Sequence, residues 1–424
     1  TYAGFGAAPS GDIVTAPGLW SLDNFGNKLI ATIFSGETFT WSSDATDATA
    51  TRAVLASGAP TASRDMLVST PDRHLVFFGT ETTIGTKSTQ DQMFIRFSSQ
   101  EDITDYTPTA TNSAGTQRLA DGSRIMGALR GRNAIYVWTD TALFLMRFVG
   151  APFTFAFEQV GTNCGLIGKN AAVEVDGTVY WMSENGFFRY GGQLESLPCL
   201  VEDFVFDDLN TVTKQHVNAG LNNLFGEINW FYVSSGANTV NRVVTYNYLD
   251  STAQRPVWTT GTLDRTAWSD SAIFGKPHAT QYDTSTNGVS TSSTYVQGNT
   301  DGVSIYYEHE TGLNQVKEGA ETAITANIES GDFDISINRN GAADTRGDGE
   351  YIMKVRRVIP DFLSQTGDAT VTLQLRDFPT DVEASSSLGP FTVTTSTKKI
   401  DTRARARAIS LKVSNTSTSQ FWKL

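Results

Sequence analysis

The sequence predicts an all-β protein, built as a β-propeller of about six blades, a C-terminal β-sandwich and one short surface helix. The composition favours strands and turns, since aromatic residues make up 11% of the chain and glycines number 37. Charged residues, at 18%, fall below the usual quarter. A recurring pair of short strands indicates the propeller, and a change of pattern near residue 315 indicates the second domain.

The recurring unit is a pair of β-branched and aromatic segments around a turn rich in Gly, Ser, Asn or Asp, which is typical of an antiparallel hairpin. Its apolar anchors lie roughly 45–60 positions apart, a spacing that suits a four-stranded blade. A polar segment at 282–299 lengthens the last unit and is predicted to be an exposed loop. The anchors of the first five units are Ile30, Phe77, Tyr136, Tyr180 and Phe231.

One segment, residues 197–210, has the period of a helix instead. Phe206 lies off its apolar stripe, so two interpretations stay open. The helix packs on the propeller, or Phe206 contacts a neighbouring subunit. The predicted apolar stripe consists of Leu200, Val201, Phe204, Val205 and Leu209.

The predicted domains are 1–315, the propeller, and 316–424, the sandwich. Three arginines near the end of the second domain, Arg403, Arg405 and Arg407, alternate with alanine. On one continuous strand they share a face with Ile409, Leu411 and Val413. We expect their partners to be carboxylates, within the chain or on a neighbouring subunit, which makes them candidate interface residues. DNA contact is the alternative.

The net charge and the lack of recognisable targeting signals narrow the range of possible functions. A formal net charge of −13 argues against general nucleic-acid affinity, which depends on phosphate neutralisation. No apolar run is long enough for a membrane span, and no secretory signal opens the sequence. The first residue is not Met, so processing or a further N-terminal part is expected. Cys164 and Cys199 are predicted to be two buried thiols rather than a disulfide.

The sequence contains no motif for catalysis, and we predict no catalytic, cofactor-binding or metal-binding residues. It has neither a phosphate-binding loop nor a nucleophile elbow, and segment 40–47 lacks the glycine and tryptophan of sialidase loops. Asp332 to Asp348 could hold a cation, but a hairpin with a polar loop is favoured. The histidines are predicted surface or turn residues without metal-site spacing: His74, His216, His278 and His309.

Several segments together resemble a known family. The chain is similar to virion structural proteins of tailed bacteriophages, and within them to tail nozzle or hub proteins of short-tailed phages. The similarity runs from about residue 17 to the C-terminus and depends on the order of the segments rather than on one motif. They are "PGLWSLDNFGNKLIA", "PCLVEDFVFDDLN", "EINWFYVSS", "VVTYNYLDS", "GTLDRTAW", "YIMKVRRVIPDF" and "TRARARAISLKVSNTSTSQFWKL".

The resemblance implies a structural, non-enzymatic protein of the virion. It implies a ring of six identical subunits that continues the DNA channel, retains the genome and later releases it. The implied partners are other tail proteins, such as adaptor, fibres or needle, and DNA that passes without specific binding. Two alternatives stay open: a receptor-binding tail protein that binds a bacterial surface glycan through loop 282–299, and a propeller glycosidase, which needs a carboxylate pair.

Overall fold

The structure is a computed structural model. It describes residues 19–43, 52–70, 72–132, 134–252, 254–270, 273–283, 303–317, 320–335, 351–378, 384–415 and 417–424. The chain forms two compact units that divide between His309 and Glu310, and each is described separately.

The first unit consists of six successive antiparallel sheets, each with its strands hydrogen-bonded in sequence order. Five sheets have four strands and the sixth has three in the described residues. The sheets are β1–β4 (Trp20–Phe25, Lys28–Ile33, Thr38–Ser42, Val54–Leu55), β5–β8 (Asp65–Val68, Leu75–Phe78, Phe94–Phe97, Gly115–Arg118), β9–β12 (Ile125–Arg130, Ile135–Thr139, Ala142–Gly150, Thr154–Thr162), β13–β16 (Ala172–Val175, Thr178–Ser183, Gly186–Tyr190, Leu194–Leu197), β17–β20 (Asn218–Asn222, Glu227–Tyr232, Arg242–Asn247, Val257–Gly261) and β21–β23 (Ala267–Ser269, His278–Asp283, Val303–Glu308).

This succession of small sheets confirms the predicted all-β propeller fold. The first strands of neighbouring sheets contact one another, β1 with β5, β5 with β9, β13 with β17 and β17 with β21, so they lie nearest the axis. All five predicted anchors lie on the second strand of their sheets. The number of blades stays a prediction, and most of the polar loop predicted at 282–299 lies outside the described residues.

The core between the sheets is built around the second strands. Trp138, Trp181 and Trp230 occupy β10, β14 and β18 and are completely buried. Their indoles join segments that are distant along the chain: Trp181 Nε1 donates to Cys164 O at 2.8 Å, and Trp230 Nε1 donates to Ala171 O at 3.1 Å. Buried indole N–H groups need such partners because their desolvation is costly.

The predicted helix is present, but it is shorter than predicted and a different set of its side chains is buried. The helix α1 spans Glu202–Asp208, and two single 3₁₀ turns lie at Lys87–Thr89 and Lys214–His216. Val205 is buried, but Phe204 is 54% exposed, so the predicted apolar stripe is wrong at this position. Phe206 instead packs against Phe187, with ring centroids 5.8 Å apart.

The second unit is also built from antiparallel strands. A four-stranded sheet in the order β26-β32-β29-β30 packs against the two-stranded ribbon β27–β31 through a shared apolar cluster, and two further strand pairs complete it. The predicted sandwich topology stays a prediction. The strands are β24 (Asn314–Lys317), β25 (Ala320–Ala323), β26 (Ala326–Glu329), β27 (Met353–Val358), β28 (Ser364–Thr366), β29 (Ala369–Arg376), β30 (Ser386–Val393), β31 (Ile400–Ala406), β32 (Ala408–Asn415) and β33 (Phe421–Lys423).

The indole of Trp181 provides a test of how the sheets are joined. Replacing Trp181 with Phe keeps most of the ring but leaves the Cys164 carbonyl without its donor, which should cost about 1–3 kcal/mol of the free energy of unfolding. Replacing Trp181 with Ala should cost about 3–5 kcal/mol. Urea denaturation measures both, with Trp20→Phe at a 44% exposed position as the control. A Trp181→Phe variant as stable as that control would contradict the assignment.

The sixth sheet contains a histidine held neutral. Arg265 Nε donates to His309 Nε2 at 2.8 Å, and the rings of Trp268 and His309 lie 4.6 Å apart. Burial, reinforced by the charges of Arg265 and His278, lowers the pKa of His309 to about 4. The neutral ring can therefore accept a hydrogen bond from the Arg265 Nε–H at neutral pH.

This histidine predicts a pH dependence of stability. Its folded-state pKa of about 4 lies below the ordinary value of about 6.5. The unfolded chain therefore binds more protons between these two values, and the stability contribution of His309 falls as pH drops from about 6.5 to 4. The variant His309→Gln can still accept a hydrogen bond from Arg265. Its melting temperature should depend less on pH between about 4 and 6.5. His216→Gln serves as control, and an unchanged slope for His309→Gln would disprove the role.

Candidate functional site

The axis of the propeller holds a buried ion pair. Lys169 Nζ lies 3.1 Å from Asp65 Oδ1, and the two side chains are only 7% and 6% exposed. Ser21 Oγ donates to the same carboxylate oxygen at 2.8 Å, and Lys169 Nζ also donates to Ser21 Oγ. The Ala128 N–H donates to Asp65 Oδ2 at 3.0 Å. Groups from β1, β5, β9 and the connection before β13 thus meet at one charge pair.

A second ion pair joins the same inner strands. Arg130 Nη1 of β9 donates to Asp23 Oδ2 of β1 at 2.8 Å and to the carbonyl of Val68 in β5, also at 2.8 Å. The Val68 N–H donates to the same Asp23 oxygen at 2.8 Å. Charged groups therefore join the inner strands β1, β5 and β9.

Lys169 also separates two cavities along the axis. The first, of about 250 Å³, contains Trp138 and Asn218 in its wall. In the described part of the chain, Trp138 Nε1 and Asn218 Oδ1 are buried without a hydrogen-bond partner. A donor and an acceptor left free in one cavity suit ordered water. Gly127 lets the backbone of Lys169 approach closely, because a Cβ at position 127 would lie 2.7 Å from the Lys169 carbonyl oxygen.

The second cavity, of about 210 Å³, is here called the cationic cavity. It lies where the chain enters the inner strands of successive sheets, and none of the residues that line it is acidic. Its polar lining residues are Arg64, Arg124, Lys169, Lys214 and Gln215.

The structure also brings together a serine, a histidine and an aspartate. His74 Nδ1 lies 2.7 Å from Asp72 Oδ2, and His74 Nε2 lies 3.2 Å from Ser113 Oγ. His74 lies in the turn between β5 and β6, as one of its two predicted positions required, but it is completely buried, so the prediction of a surface position is wrong. Ser113 Oγ accepts the Gln100 N–H at 2.8 Å. The three groups follow each other as in a catalytic triad, but His74 is completely buried and Ser113 half-buried, and their hydrogen bonds hold the loop before β8 in place.

The cysteines do not form a nucleophilic site. Both are free, Cys164 buried and Cys199 half-buried, in agreement with the prediction of unpaired thiols. Burial raises the pKa of Cys164 to about 11 and that of Cys199 to about 12. Both therefore remain protonated at neutral pH, whereas a catalytic cysteine needs the thiolate.

Two of the alternating arginines, Arg403 and Arg405, lie on β31, and the third, Arg407, lies at the bend between β31 and β32. The chain leaves β31 at Arg407 and enters β32, which belongs to a different sheet. Ala404 and Ala406 are buried and so is Ile409, while Arg403 and Arg405 are exposed. The prediction that the arginines share a face with Ile409 is therefore wrong, because the bend at Arg407 resets the alternation. Arg407 itself is half-buried, and its N–H donates to the Arg376 carbonyl at 3.1 Å.

The outer face of the β27–β31 pair, here called the cationic ribbon, carries like charges side by side. Lys354 stands directly opposite Arg405 in the antiparallel register. Arg356 and Arg403 are also exposed, and they lie at the irregular register step beside this pair. No carboxylate in the described part of the chain lies within ion-pair distance of these four side chains. Like charges directly opposite each other destabilise a strand pair, so this face favours an anionic partner.

The helix α1 carries the opposite charge. Glu202, Asp203 and Asp207 form its acidic helix face, and neither end of the helix has a basic residue in its terminal turn. The same segment exposes apolar side chains, with Phe204 at 54% and Leu200 at 64%. Phe206, the residue predicted as a subunit contact, is half-buried beneath them. The sequence alone could not show that Phe204 is more exposed than Phe206, because both phenylalanines belong to the same short helical segment.

The described residues contain no group of three or more His, Cys, Asp or Glu side chains that could hold a metal ion. Of the acidic segment considered for a cation, Asp332 forms an ion pair with Arg376, and the part beyond residue 335 lies outside the described residues. No helix of the described part is long and apolar enough to cross a membrane.

Comparisons with known proteins assign no family. No protein-family model matches the chain, and no curated protein matches it. Among solved structures it is similar to dihydro-heme d1 dehydrogenase NirN in complex with DHE, at 10% identity and a TM-score of 0.39 over 62% of this chain and 51% of that chain. It is also similar to the WD40 domain of SCAP from fission yeast, at 7% identity and a TM-score of 0.32 over 73% and 90% of the two chains. An ancestral GH74 enzyme matches at 13% identity and a TM-score of 0.36 over 62% and 40%. Likenesses at these values carry no argument about function.

The axial ion pair generates a stability prediction. Replacing Lys169 with Met leaves the Asp65 charge buried without its counter-ion, which should cost about 3–5 kcal/mol of the free energy of unfolding. Asp65→Asn should cost a similar amount, and the double variant should cost clearly less than the sum. Urea unfolding followed by tryptophan fluorescence reports mainly on the first unit, which holds every tryptophan except Trp422. Additive single effects would show that the two charges do not interact.

Proposed function

We propose that the chain is a structural subunit of a bacteriophage tail, which assembles with copies of itself into a ring at the nozzle or hub. The observation that carries the proposal is the cationic ribbon, four exposed basic side chains without carboxylate partners in the described part of a chain of net charge −13. The sequence resemblance across nearly the whole chain supports the same role.

The ring follows from two surfaces of opposite charge on one chain. The cationic ribbon of one subunit fits the acidic helix face of the next, with the exposed side chains of Phe204 and Leu200 as an apolar centre. An interface between two different patches is heterologous, and it generates a ring when the rotation closes. Arg403 and Arg405 are the ribbon residues with the clearest role in such a contact, since guanidinium groups bind carboxylates in bidentate geometry.

Arg407 and Phe206 take a supporting part in this proposal. Arg407 lies at the bend that sets the direction of the ribbon, and Phe206 packs against Phe187 beneath the exposed side of α1. A change at either residue affects the interface through the shape of the surface rather than through direct contact.

The ring continues the DNA channel in the virion, retains the genome and releases it on infection. An acidic subunit suits a channel through which DNA passes without specific binding, because it repels the phosphate backbone. The implied partners are other tail proteins, such as the adaptor, fibres or needle. The proposed role is structural rather than enzymatic, which the complete burial of His74 and the protonated state of both thiols support.

The test is a charge exchange between the two surfaces. The wild-type chain should form rings, visible by electron microscopy and by light scattering after size exclusion. The double change Arg403→Glu and Arg405→Glu should yield monomers, since it places acidic residues opposite the acidic helix face. Adding Asp203→Arg and Asp207→Arg to the same chain should restore the rings. The control, Lys87→Glu with Arg255→Glu, changes the same net charge at exposed positions elsewhere.

Other results of these experiments would support a receptor-binding protein or an enzyme instead of a ring subunit. A wild-type chain that stays monomeric in the presence of its tail partners, and that binds a bacterial surface glycan, would support the receptor-binding function instead. Rings that survive the arginine reversal would show that assembly uses other surfaces. Cleavage of a surface polysaccharide by the wild-type chain would establish an enzyme.

A further inference from the structure

The cationic cavity is lined by four basic side chains, and each comes from the connection that leads into a different sheet. Arg64 precedes β5, Arg124 precedes β9, Lys169 precedes β13, and Lys214 lies in the 3₁₀ turn before β17. In an antiparallel propeller the connections to the innermost strands meet at one end of the axis, which places four separate segments around about 210 Å³. Cations contributed by four segments of the chain form a built site rather than a run of adjacent charges.

The two arginines differ in how they are held. Arg64 Nε donates to Ile125 O at 2.6 Å and its Nη1 donates to Gln92 Oε1 at 2.8 Å, while its guanidinium lies 4.8 Å from the Phe34 ring centroid. Arg64 is therefore fixed, with its Nη2 group uncommitted. Arg124 is exposed, and its side chain makes no hydrogen bond in the described part of the chain. Together they offer oriented donors from one rigid and one adaptable guanidinium.

The two lysines contribute mainly charge. Lys169 Nζ has three acceptors, Asp65, Ser21 and the Trp20 carbonyl, which use all its protons. Lys214 Nζ lies 2.5 Å from Glu184, which leaves it further donors. The carboxylates thus neutralise the lysines from outside the cavity wall and leave the arginines as its free cations.

The electrostatics of the arginines favour an anion between them. Burial, and then repulsion from Arg124, lowers the pKa of Arg64 to about 10. Asp140 and Asp65 oppose this effect, but the Asp140 carboxylate is occupied by the N–H and hydroxyl of Ser123. Two like charges facing one cavity are stabilised by a ligand that accepts hydrogen bonds from both.

We propose that the cationic cavity binds a small tetrahedral oxyanion of the phosphate class, held between the guanidinium groups of Arg64 and Arg124 with Lys214 at its side. The cavity is smaller than the roughly 300–1,000 Å³ typical of sites for drug-sized ligands, which suits an ion or a single phosphoryl group. The site is independent of the ring interface, since it uses none of the ribbon or helix residues.

The test is calorimetric titration of the full chain with inorganic phosphate at constant ionic strength. The wild-type chain should bind one equivalent per subunit, and sulfate should compete. Arg124→Gln should weaken binding at least tenfold, equivalent to about 1.4 kcal/mol. Lys214→Gln should weaken it less, since it removes charge but not the bidentate donor. Arg255→Gln, an exposed arginine of the same unit, should bind as the wild type does.

The outcomes are distinct. Absence of binding by the wild-type chain overturns the site, as does equal affinity in Arg124→Gln and Arg255→Gln. Acetate binding as tight as phosphate would overturn the tetrahedral class and indicate a carboxylate site. Because Arg124 is exposed, its variant should retain the wild-type melting temperature, so lost binding cannot be attributed to unfolding.

Discussion

The buried ion pair between Lys169 and Asp65 is the interaction around which the first unit is organised. One carboxylate accepts from a side chain on β1, from backbone groups of β5 and β9, and from a lysine of the connection before β13. Charges so far from water are stable only when every donor and acceptor is used. The pair therefore fixes the positions of several inner strands at once, and the two axial cavities lie on either side of it.

The packing between neighbouring sheets and the polar contacts near the axis depend on different residues. The tryptophans of β10, β14 and β18 are large and completely buried, and those of β14 and β18 also donate indole hydrogen bonds to backbone carbonyls. Near the axis, the inner strands also meet through charged groups, Asp65 with Lys169 and Asp23 with Arg130.

The two surfaces proposed for assembly share one property, which is unbalanced charge. On the cationic ribbon, Lys354 and Arg405 repel each other across a strand pair, and on α1 Glu202 and Asp203 lie side by side in the first turn. Burial and the neighbouring Asp203 raise the pKa of Glu202. Surfaces of opposite charge favour specific association, which is the basis of the proposed interface.

The sequence by itself determined the fold class and the second strands of the first five sheets. Residues such as Phe77 and Phe231 sit in apolar runs whose period and spacing are local properties, so pattern alone finds them. It could not give the inner and outer strands, because short segments such as Gly115–Arg118 have no periodicity and form only beside a neighbour. The bend at Arg407 reversed the predicted faces for the same reason, since a change of sheet depends on distant pairing. Only the tertiary structure brought Asp65 to Lys169, His74 to Ser113 and Arg64 to Arg124. These groups are far apart in sequence, and their juxtaposition is decided by how the sheets pack around the axis.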